Sequence, residues 1–483
     1  MQSHCSKPVA APEDLATALA RQPAAPAQDL AARLGVSLPT VHRLLRGAGA
    51  QVVTLGRARR TRHAWRRALR GWLGDWPVYR IDDQGTPHAW STLALIAPQG
   101  CAMPLEGTGW PVPPDEPGNA SAGDGWWPGL PYPLQDLRPQ GYMGRQFARA
   151  VHEALQLPPD PRAWSDDDVL LALARTGSDT VGDLVVGDEA LRHWQAGRLD
   201  APAPLAEAEV AAAYLALANQ AVAGGGAGSS AAGEFPKFAA LRALPQGADT
   251  AGPGGARTPH VLVKFSGAGG APAEQRWADL LLAEHLALHT CAAHLGAQGV
   301  AAAHSRWLQA GGRAFLEVER FDRHGRWGRS PLVSLEAVNA AFLGLPHRPW
   351  PEMLAPLAQG GWLAEGTLHA AQVLWWFGRL IGNTDMHLGN LSFRPHNGQL
   401  ALAPAYDMLP MRYAPLGGGE TPAMPLIEPV LPLPAERPQW QPAAAAALAF
   451  WQTLAQDPRA SSAMRAQAGA NAHRLAQAID IAG

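Results

Sequence analysis

The stretch from Val373 to Asp407 constrains this chain more than any other. A strongly apolar helical run, Val373-Leu-Trp-Trp-Phe-Gly-Arg-Leu-Ile, is cut by Gly382. The segment that follows, Gly382-Asn-Thr-Asp-Met-His-Leu-Gly-Asn390, carries Asp385 and Asn390 between punctuating glycines, and so reads as a loop rather than a helix. Two short apolar stretches, Leu391-Ser-Phe and Leu400-Ala-Leu-Ala, then flank Asn397-Gly398, a pairing that favours a tight hairpin. Ala405-Tyr-Asp407 lies immediately beyond. This layout predicts that Asp385, Asn390 and Asp407 reach one edge of a small hairpin. Any one of them alone is most often an ordinary turn residue, but three at these spacings are not easily accidental. Kinase-type phosphoryl transfer uses such a set: one Asp accepts or orients the attacking hydroxyl, and an Asn and a second Asp hold Mg2+, a hard cation that takes oxygen ligands.

Such chemistry also needs a phosphate cradle and a positive charge upstream. Gly228-Ser-Ser-Ala-Ala-Gly233-Glu-Phe-Pro-Lys237-Phe is a small-residue loop whose backbone N–H groups could face phosphates. It lacks the Gly-Lys-Ser/Thr of a P-loop, and alone such a loop is more often a linker. His260-Val-Leu-Val-Lys264-Phe alternates as a strand with one Lys, a residue type that on a strand usually just faces solvent. Phe315-Leu-Glu-Val-Glu319-Arg-Phe321-Asp-Arg is placed as a hinge would be, between that strand and the Asp385 loop. The order of glycine loop, strand lysine, hinge, Asp/Asn loop and metal Asp is the combined signal.

The N-terminal part points elsewhere. Leu30 and Leu34 lie one helical turn apart, Gly35 supplies a turn, and Ser37 stands where it can cap a second helix with Pro39 in its first turn. Val41, Leu44 and Leu45 would pack inward, leaving Thr40, His42, Arg43 and Arg46 outward as in a helix-turn-helix. Val52-Val-Thr-Leu precedes an acid-free run holding Arg57, Arg59, Arg60, Arg62, Arg66, Arg67 and Arg70, suited to a basic wing against DNA phosphates. The plain alternative is a helical hairpin with a solvated basic face. The formal net charge of −2 averages over these unlike regions. Cys5, Cys101 and Cys291 are isolated, with no CxxC pair, so neither a zinc module nor a disulfide framework is expected, and a cytoplasmic location is. No secretory signal and no membrane span is expected.

The expected architecture is α+β: residues 1–75 a helix-turn-helix, 76–330 a mixed lobe with the glycine loop and the lysine, and 331–483 a mostly helical lobe with the catalytic and metal-binding loops. Within the last two, Asp166–Leu173, Ala203–Val222, Glu274–His289, Gly366–Ile381 and the Ala-rich Pro442–Ile481 read as helices.

Ser230-Ala-Ala-Gly-Glu-Phe-Pro-Lys237, Val263-Lys264-Phe, Val318-Glu-Arg-Phe-Asp-Arg323, the Gly382–Asn390 loop and Tyr406-Asp407 together resemble the HipA family of bacterial serine/threonine kinases, the toxins of type II toxin–antitoxin systems. The resemblance runs from about Trp76 to the C-terminus. The added helix-turn-helix and Arg276-Trp-Ala-Asp-Leu-Leu are similar to its HipH (YjjJ) subgroup. The resemblance implies a two-lobed, protein-kinase-like fold that uses ATP and Mg2+. It implies Asp385 as catalytic base, Asn390 and Asp407 as metal ligands, and Lys264 on the phosphates with Gly233 and Lys237 in the phosphate loop. The Glu319 and Phe321 backbone would meet adenine, His387 would contact the nucleotide or Asp407 or be structural, and Ser230 would be the position of self-phosphorylation. Phe235 departs from the family, which commonly has Gln before Pro-Lys. The glutamate partner of Lys264 is left unassigned, since Glu274 and Glu284 both lie on the following helix. Implied partners are DNA, an antitoxin, and a protein substrate such as an aminoacyl-tRNA synthetase or another translation component. Two rival expectations are a transcriptional regulator with an inactive kinase-shaped body and a metal-dependent nuclease using Asp385, His387 and Asp407.

Overall fold

The computed structural model describes residues 11–114, 122–223, 235–244 and 257–482. The chain starts with three helices, Pro12–Arg21, Ala27–Leu34 and Leu38–Ala48. Gly35 ends the second in the left-handed region, with φ of 65°, a conformation that glycine adopts without a Cβ penalty. Ser37 stands at the N-cap of the third, but its hydroxyl bonds the Thr40 hydroxyl at 3.1 Å rather than a backbone N–H. Leu15, Leu19, Leu30, Val41 and Leu45 close the three-helix core. An antiparallel hairpin, Val52–Leu55 with Arg62–Trp65, forms the wing.

The wing is fastened to the body. Its second strand runs on to pair with the next sheet, with the Arg67 N–H on the Leu95 carbonyl at 2.9 Å and the Ala97 N–H on the Trp65 carbonyl at 2.8 Å. Val53 and Ala64 pack with Ala94, Ile96, Ala102 and Trp126. The adjoining sheet is antiparallel, in the order Trp126–Trp127, Cys101–Ala102, Pro87–Leu95, Trp76–Ile81, Leu184–Val186. Helices Gly141–Leu155, Asp166–Thr176 and Asp188–Leu199 accompany it.

A second antiparallel sheet, ordered Ser305–Ala310, Arg313–Glu319, His260–Phe265, Lys237–Leu241, builds the smaller half of the cleft. Both sheets fall within residues 76–330. Strand alternation decides what this second sheet presents. Val261, Val263 and Phe265 pack with Val210, Tyr214 and Ala218 of helix Glu207–Ala223, while Leu262 and Lys264 face the cleft. Helix Pro272–His294 buries Leu280, Leu281, Leu282, Leu286 and Leu288 in the main core.

The remainder is mainly helical: Leu335–Phe342, Trp350–Gln359, Thr367–Leu380, Arg437–Gln456 and Ser462–Ala482. The long Ala-rich helix expected over 442–481 is two helices. The break falls at Asp457-Pro458, where the proline ring disfavours helical geometry in the residue before it. Buried Asp279 takes the Ser461 N–H at 2.9 Å and the Ser461 hydroxyl at 2.6 Å, fixing where the last helix starts. A small sheet, Val333–Ser334, Ser392–His396 and Gln399–Leu402, carries the expected hairpin, with Asn397 at φ 49° and Gly398 at φ 76° as a tight turn requires.

The hinge hairpin, Arg323–His324 with Gly328–Arg329, sits tightly on the first sheet. A Cβ at Gly328 would lie 1.9 Å from the Asp83 carbonyl oxygen, a backbone atom. Gly328→Ala should therefore lower stability by roughly 1–3 kcal/mol, seen as a lower urea midpoint with an unchanged slope. Among the described residues, no helix is long and apolar enough to cross a membrane, and Cys101 and Cys291 are buried free thiols.

Candidate active site

Between the second sheet and the helical part lies a cleft of about 850 Å³. It gathers Lys237, Lys264, Glu319, Phe321, His387 and Asp407, residues far apart in the chain. Lys264 is buried, with 7% exposure, and its Nζ donates to Glu284 at 2.7 and 2.8 Å and to Asp407 Oδ1 at 2.5 Å. Glu284, at 1% exposure, is the glutamate partner that the sequence left unassigned. Glu274 serves its own helix instead, where its carboxylate accepts the Ala271 N–H at 3.0 Å and caps the N-terminus.

Burial works against the charge on Lys264, yet Asp407 and then Glu284 outweigh it and raise the proton affinity of the amine. Burial pushes the Glu284 carboxyl up to about 7, against the pull of Lys264. Burial also opposes ionisation of Asp407, but Lys264 first and Lys237 next hold it down at about 2. Asp407 keeps 34% of its side chain open to the cleft. Its backbone sits in the left-handed region, at φ 53°, an uncommon conformation for a residue with a Cβ.

Asn383, not singled out from the sequence, ties the loops together. Its Nδ2 donates to the Asp407 carbonyl at 3.1 Å, and its Oδ1 accepts the Asp385 N–H at 3.0 Å. Asn390 is buried and donates through Nδ2 to the Asp385 carbonyl at 2.7 Å. The Asp385 side chain is exposed and lines an adjoining groove of about 670 Å³. His387 borders both spaces. Its Nδ1 accepts the Gly389 N–H at 3.1 Å, which places the proton of the neutral ring on Nε2. Asn390 and Asp407 offer oxygen donors, a chemistry that fits a hard divalent cation. Among the described residues no three His, Cys, Asp or Glu side chains gather into a group that could hold a metal ion.

At the hinge, Glu319 is held by Arg257 through Nε contacts of 2.8 and 3.1 Å, and its N–H donates to the His304 carbonyl at 2.8 Å. The Phe321 carbonyl accepts Arg394 at 2.7 Å, and its ring packs 5.6 Å from that of Tyr406. Behind these, Asp322 accepts Arg320 at 3.0 Å, Arg323 at 2.6 Å and the Gly182 N–H at 2.9 Å. Arg323 also reaches Asp179 at 2.8 Å. Phe235 is buried edge-on against Trp277, with ring centroids 4.6 Å apart, and its ring lies 5.7 Å from Lys264 Nζ. Ser230 and Gly233 lie outside the described residues.

The N-terminal arginines divide into two groups. Arg66 pairs with Asp75, and Arg67 forms a two-pronged pair with Asp167 that includes a 2.9 Å contact. Arg70 donates to the Gln156 carbonyl at 3.2 Å and Arg62 to the Ala24 carbonyl at 3.2 Å. Arg60 meets Asp124 at 2.9 Å. Arg62, Arg66 and Arg67 are half-buried in these contacts, while Arg60 and Arg70 stay exposed beside their partners, so only part of the basic run is withdrawn from the surface. Arg57, Arg59, His42, Arg43 and Arg46 are exposed, and Thr40 is half-buried.

A helical lobe, a small antiparallel sheet, a buried Lys–Glu pair and an Asp at the cleft define a two-lobed, kinase-like fold behind an N-terminal helix-turn-helix. Residues 229–474 match the HipA-like C-terminal domain, residues 73–195 the middle domain of YjjJ-like toxins, and residues 17–47 the IclR helix-turn-helix domain. The chain is 38% identical over 440 residues to Toxin YjjJ of Escherichia coli strain K12, covering 91% of this chain and 92% of that protein. Among solved structures it is similar to the Shewanella oneidensis MR-1 toxin–antitoxin complex of HipA, HipB and operator DNA, at 14% identity and a TM-score of 0.49, covering 84% of this chain and 97% of that one. The Helicobacter pylori proinflammatory kinase CtkA is a further likeness, at 13% identity and a TM-score of 0.31, covering 46% and 86%. The chain belongs to the HipA-like toxins, in their YjjJ-like branch.

Proposed function

We propose that the chain is an ATP-dependent serine/threonine protein kinase that acts as a toxin, with its own helix-turn-helix bound to DNA for autoregulation. The observation that carries this reading is the buried Lys264–Glu284 pair set against Asp407 in one cleft. Lys264 would neutralise ATP phosphate oxygens, and adenine would lie against the Glu319–Phe321 backbone. Asn390 and Asp407 would hold Mg2+, which supplies charge neutralisation to the phosphates when bound. Asp385, exposed in its groove, would accept the proton of a substrate hydroxyl as the new O–P bond forms and the bond to the β,γ-bridging oxygen breaks. The protein substrate by this reading is an aminoacyl-tRNA synthetase or another translation component, and an antitoxin is a further partner.

The test is incubation of the full chain and a cell lysate with γ-labelled ATP and Mg2+. Label should appear on Ser or Thr of the chain or of a lysate protein and vanish in Asp385→Ala. No incorporation by the wild type, or equal incorporation by the variant, would sink the proposal.

For DNA, removing Arg57 or Arg59 should weaken binding across sequences and flatten the slope of log affinity against log salt by about 1 per lost phosphate contact. Arg67→Ala should instead lower the melting temperature, because Arg67 holds Asp167. An unchanged salt slope in Arg57→Ala/Arg59→Ala would remove the wing from the interface.

A further inference from the structure

Behind the hinge, on the far side of Asp179 from the cleft, is a separate pocket of about 160 Å³. It lies where helix Asp188–Leu199, the Ser178–Asp179 turn and the Arg323–Arg329 hairpin meet. Three guanidiniums line it, those of Arg323, Arg326 and Arg329, against the single carboxylate of Asp179. Asp179 is already engaged by Arg320 at 2.9 Å and Arg323 at 2.8 Å.

Arg329 is 4% exposed. One of its terminal nitrogens donates to the Ser178 carbonyl at 2.6 Å, while the other is buried with no hydrogen-bond partner. Arg326 Nε is likewise buried without a partner, although its NH2 reaches the Ala201 and Pro202 carbonyls at 3.0 and 2.9 Å. Burial and the neighbouring Arg323 lower the proton affinity of Arg329 to about 9, although Asp179 and Asp322 pull the other way. Buried Asp183 is a weak counter-charge, since burial pushes its carboxyl up to about 7 against the pull of Arg80, Arg329 and Arg323, and its Oδ1 has no hydrogen-bond partner either. His260 adds no opposing charge: its Nε2 sits 2.8 Å from the Arg326 carbonyl, and burial lowers its proton affinity. The indole faces of Trp194 and Trp327 flank the guanidiniums, 5.8 Å from Arg329 and 5.0 Å from Arg326.

A buried, partly unbonded guanidinium costs free energy that an oxoanion would recover through charge-assisted, forked hydrogen bonds. The volume falls short of the roughly 300–1,000 Å³ typical of drug-sized ligands, so a nucleoside does not fit while a small tetrahedral anion does. We propose that this pocket binds phosphate, either the free ion or the terminal group of a phosphate monoester, at a site distinct from the kinase-like cleft.

The test is calorimetric titration of the full chain with orthophosphate and with glycerol 3-phosphate, against chloride at matched ionic strength. Saturable binding at one equivalent is expected for orthophosphate. Equal binding of the ester would show that the site accepts a phosphate group carried by a larger molecule, and no binding of the ester would restrict it to the free ion. Arg326→Gln and Arg329→Met should each weaken binding about tenfold or more, whereas Lys237→Ala in the cleft should leave it unchanged. Should either arginine variant fail to fold, orthophosphate should still protect Arg326 of the wild type, but not Arg459, from phenylglyoxal. Non-saturating heats, binding lost with Lys237→Ala, or no protection of Arg326 would overturn the proposal.

Discussion

Glu284→Gln should cut phosphate incorporation by about 10²- to 10³-fold, the scale seen when one preorganised electrostatic contact is removed from a reacting site. The variant should still fold, because glutamine fills the same space. Glu284 holds Lys264 from one side while Asp407 pulls from the other. Without the carboxylate, the ammonium group is left to Asp407 alone and closes over the residue assigned to the metal. Lys264→Met should cost as much, and the double variant should be little worse than the poorer single one, because the two act as one unit. Single-turnover incorporation by the four proteins gives the cycle. Additive losses would mean that Glu284 works independently of Lys264.

Arg323→Leu should destabilise the fold by about 3–5 kcal/mol, because it leaves buried Asp322 short of a partner where water cannot replace it, whereas Asp179 is exposed and can turn to solvent. Asp322 is already tied to Arg320 and to the Gly182 N–H, so it cannot simply turn away. Replacing Asp322 by leucine as well should restore part of the loss, since the buried carboxylate short of a partner is gone while Arg320 keeps Asp179 at 2.9 Å. Urea unfolding of the single and double variants beside the wild type measures both effects. The same knot sets an acid limit. Burial opposes the charge on Asp322, but Arg320 and Arg323 outweigh it and hold the carboxyl well below the ordinary aspartate range. Its contribution is therefore complete above that range and drains away as pH falls below about 4. Asp322→Asn should flatten that acid slope, and an unchanged slope would mean the knot does not report on pH.

Much of the site was legible because its signals are local. The Asn397-Gly398 turn, the alternation that points Lys264 into the cleft and the glycine-bounded Asp385 loop all follow from neighbours in sequence. The glutamate partner was legible in principle. Glu274 sits at a capping position, whereas Glu284 stands in the apolar run Leu280-Leu-Leu-Ala-Glu-His-Leu, where a lone carboxylate needs a buried cation. The Asp179–Arg323 and Asp322–Gly182 contacts join segments 144 and 140 residues apart, and no spacing rule reaches that far. For the same reason the arginine run read as one basic surface, although the acid that claims Arg67 lies a hundred residues on, at Asp167. Phe235 looked like a departure in the loop; its reason is Trp277, far along the chain, against which it packs.

The wing strand that runs straight on into the first sheet leaves no slack between the N-terminal module and the rest. Head and body turn together as one lever, and lifting either means breaking backbone pairs as well as the Arg67–Asp167 pair. Their ratio is one to one in every molecule, whatever the rates of synthesis and breakdown. Any DNA site that seats such heads side by side therefore also dictates the distance and bearing between the clefts they carry.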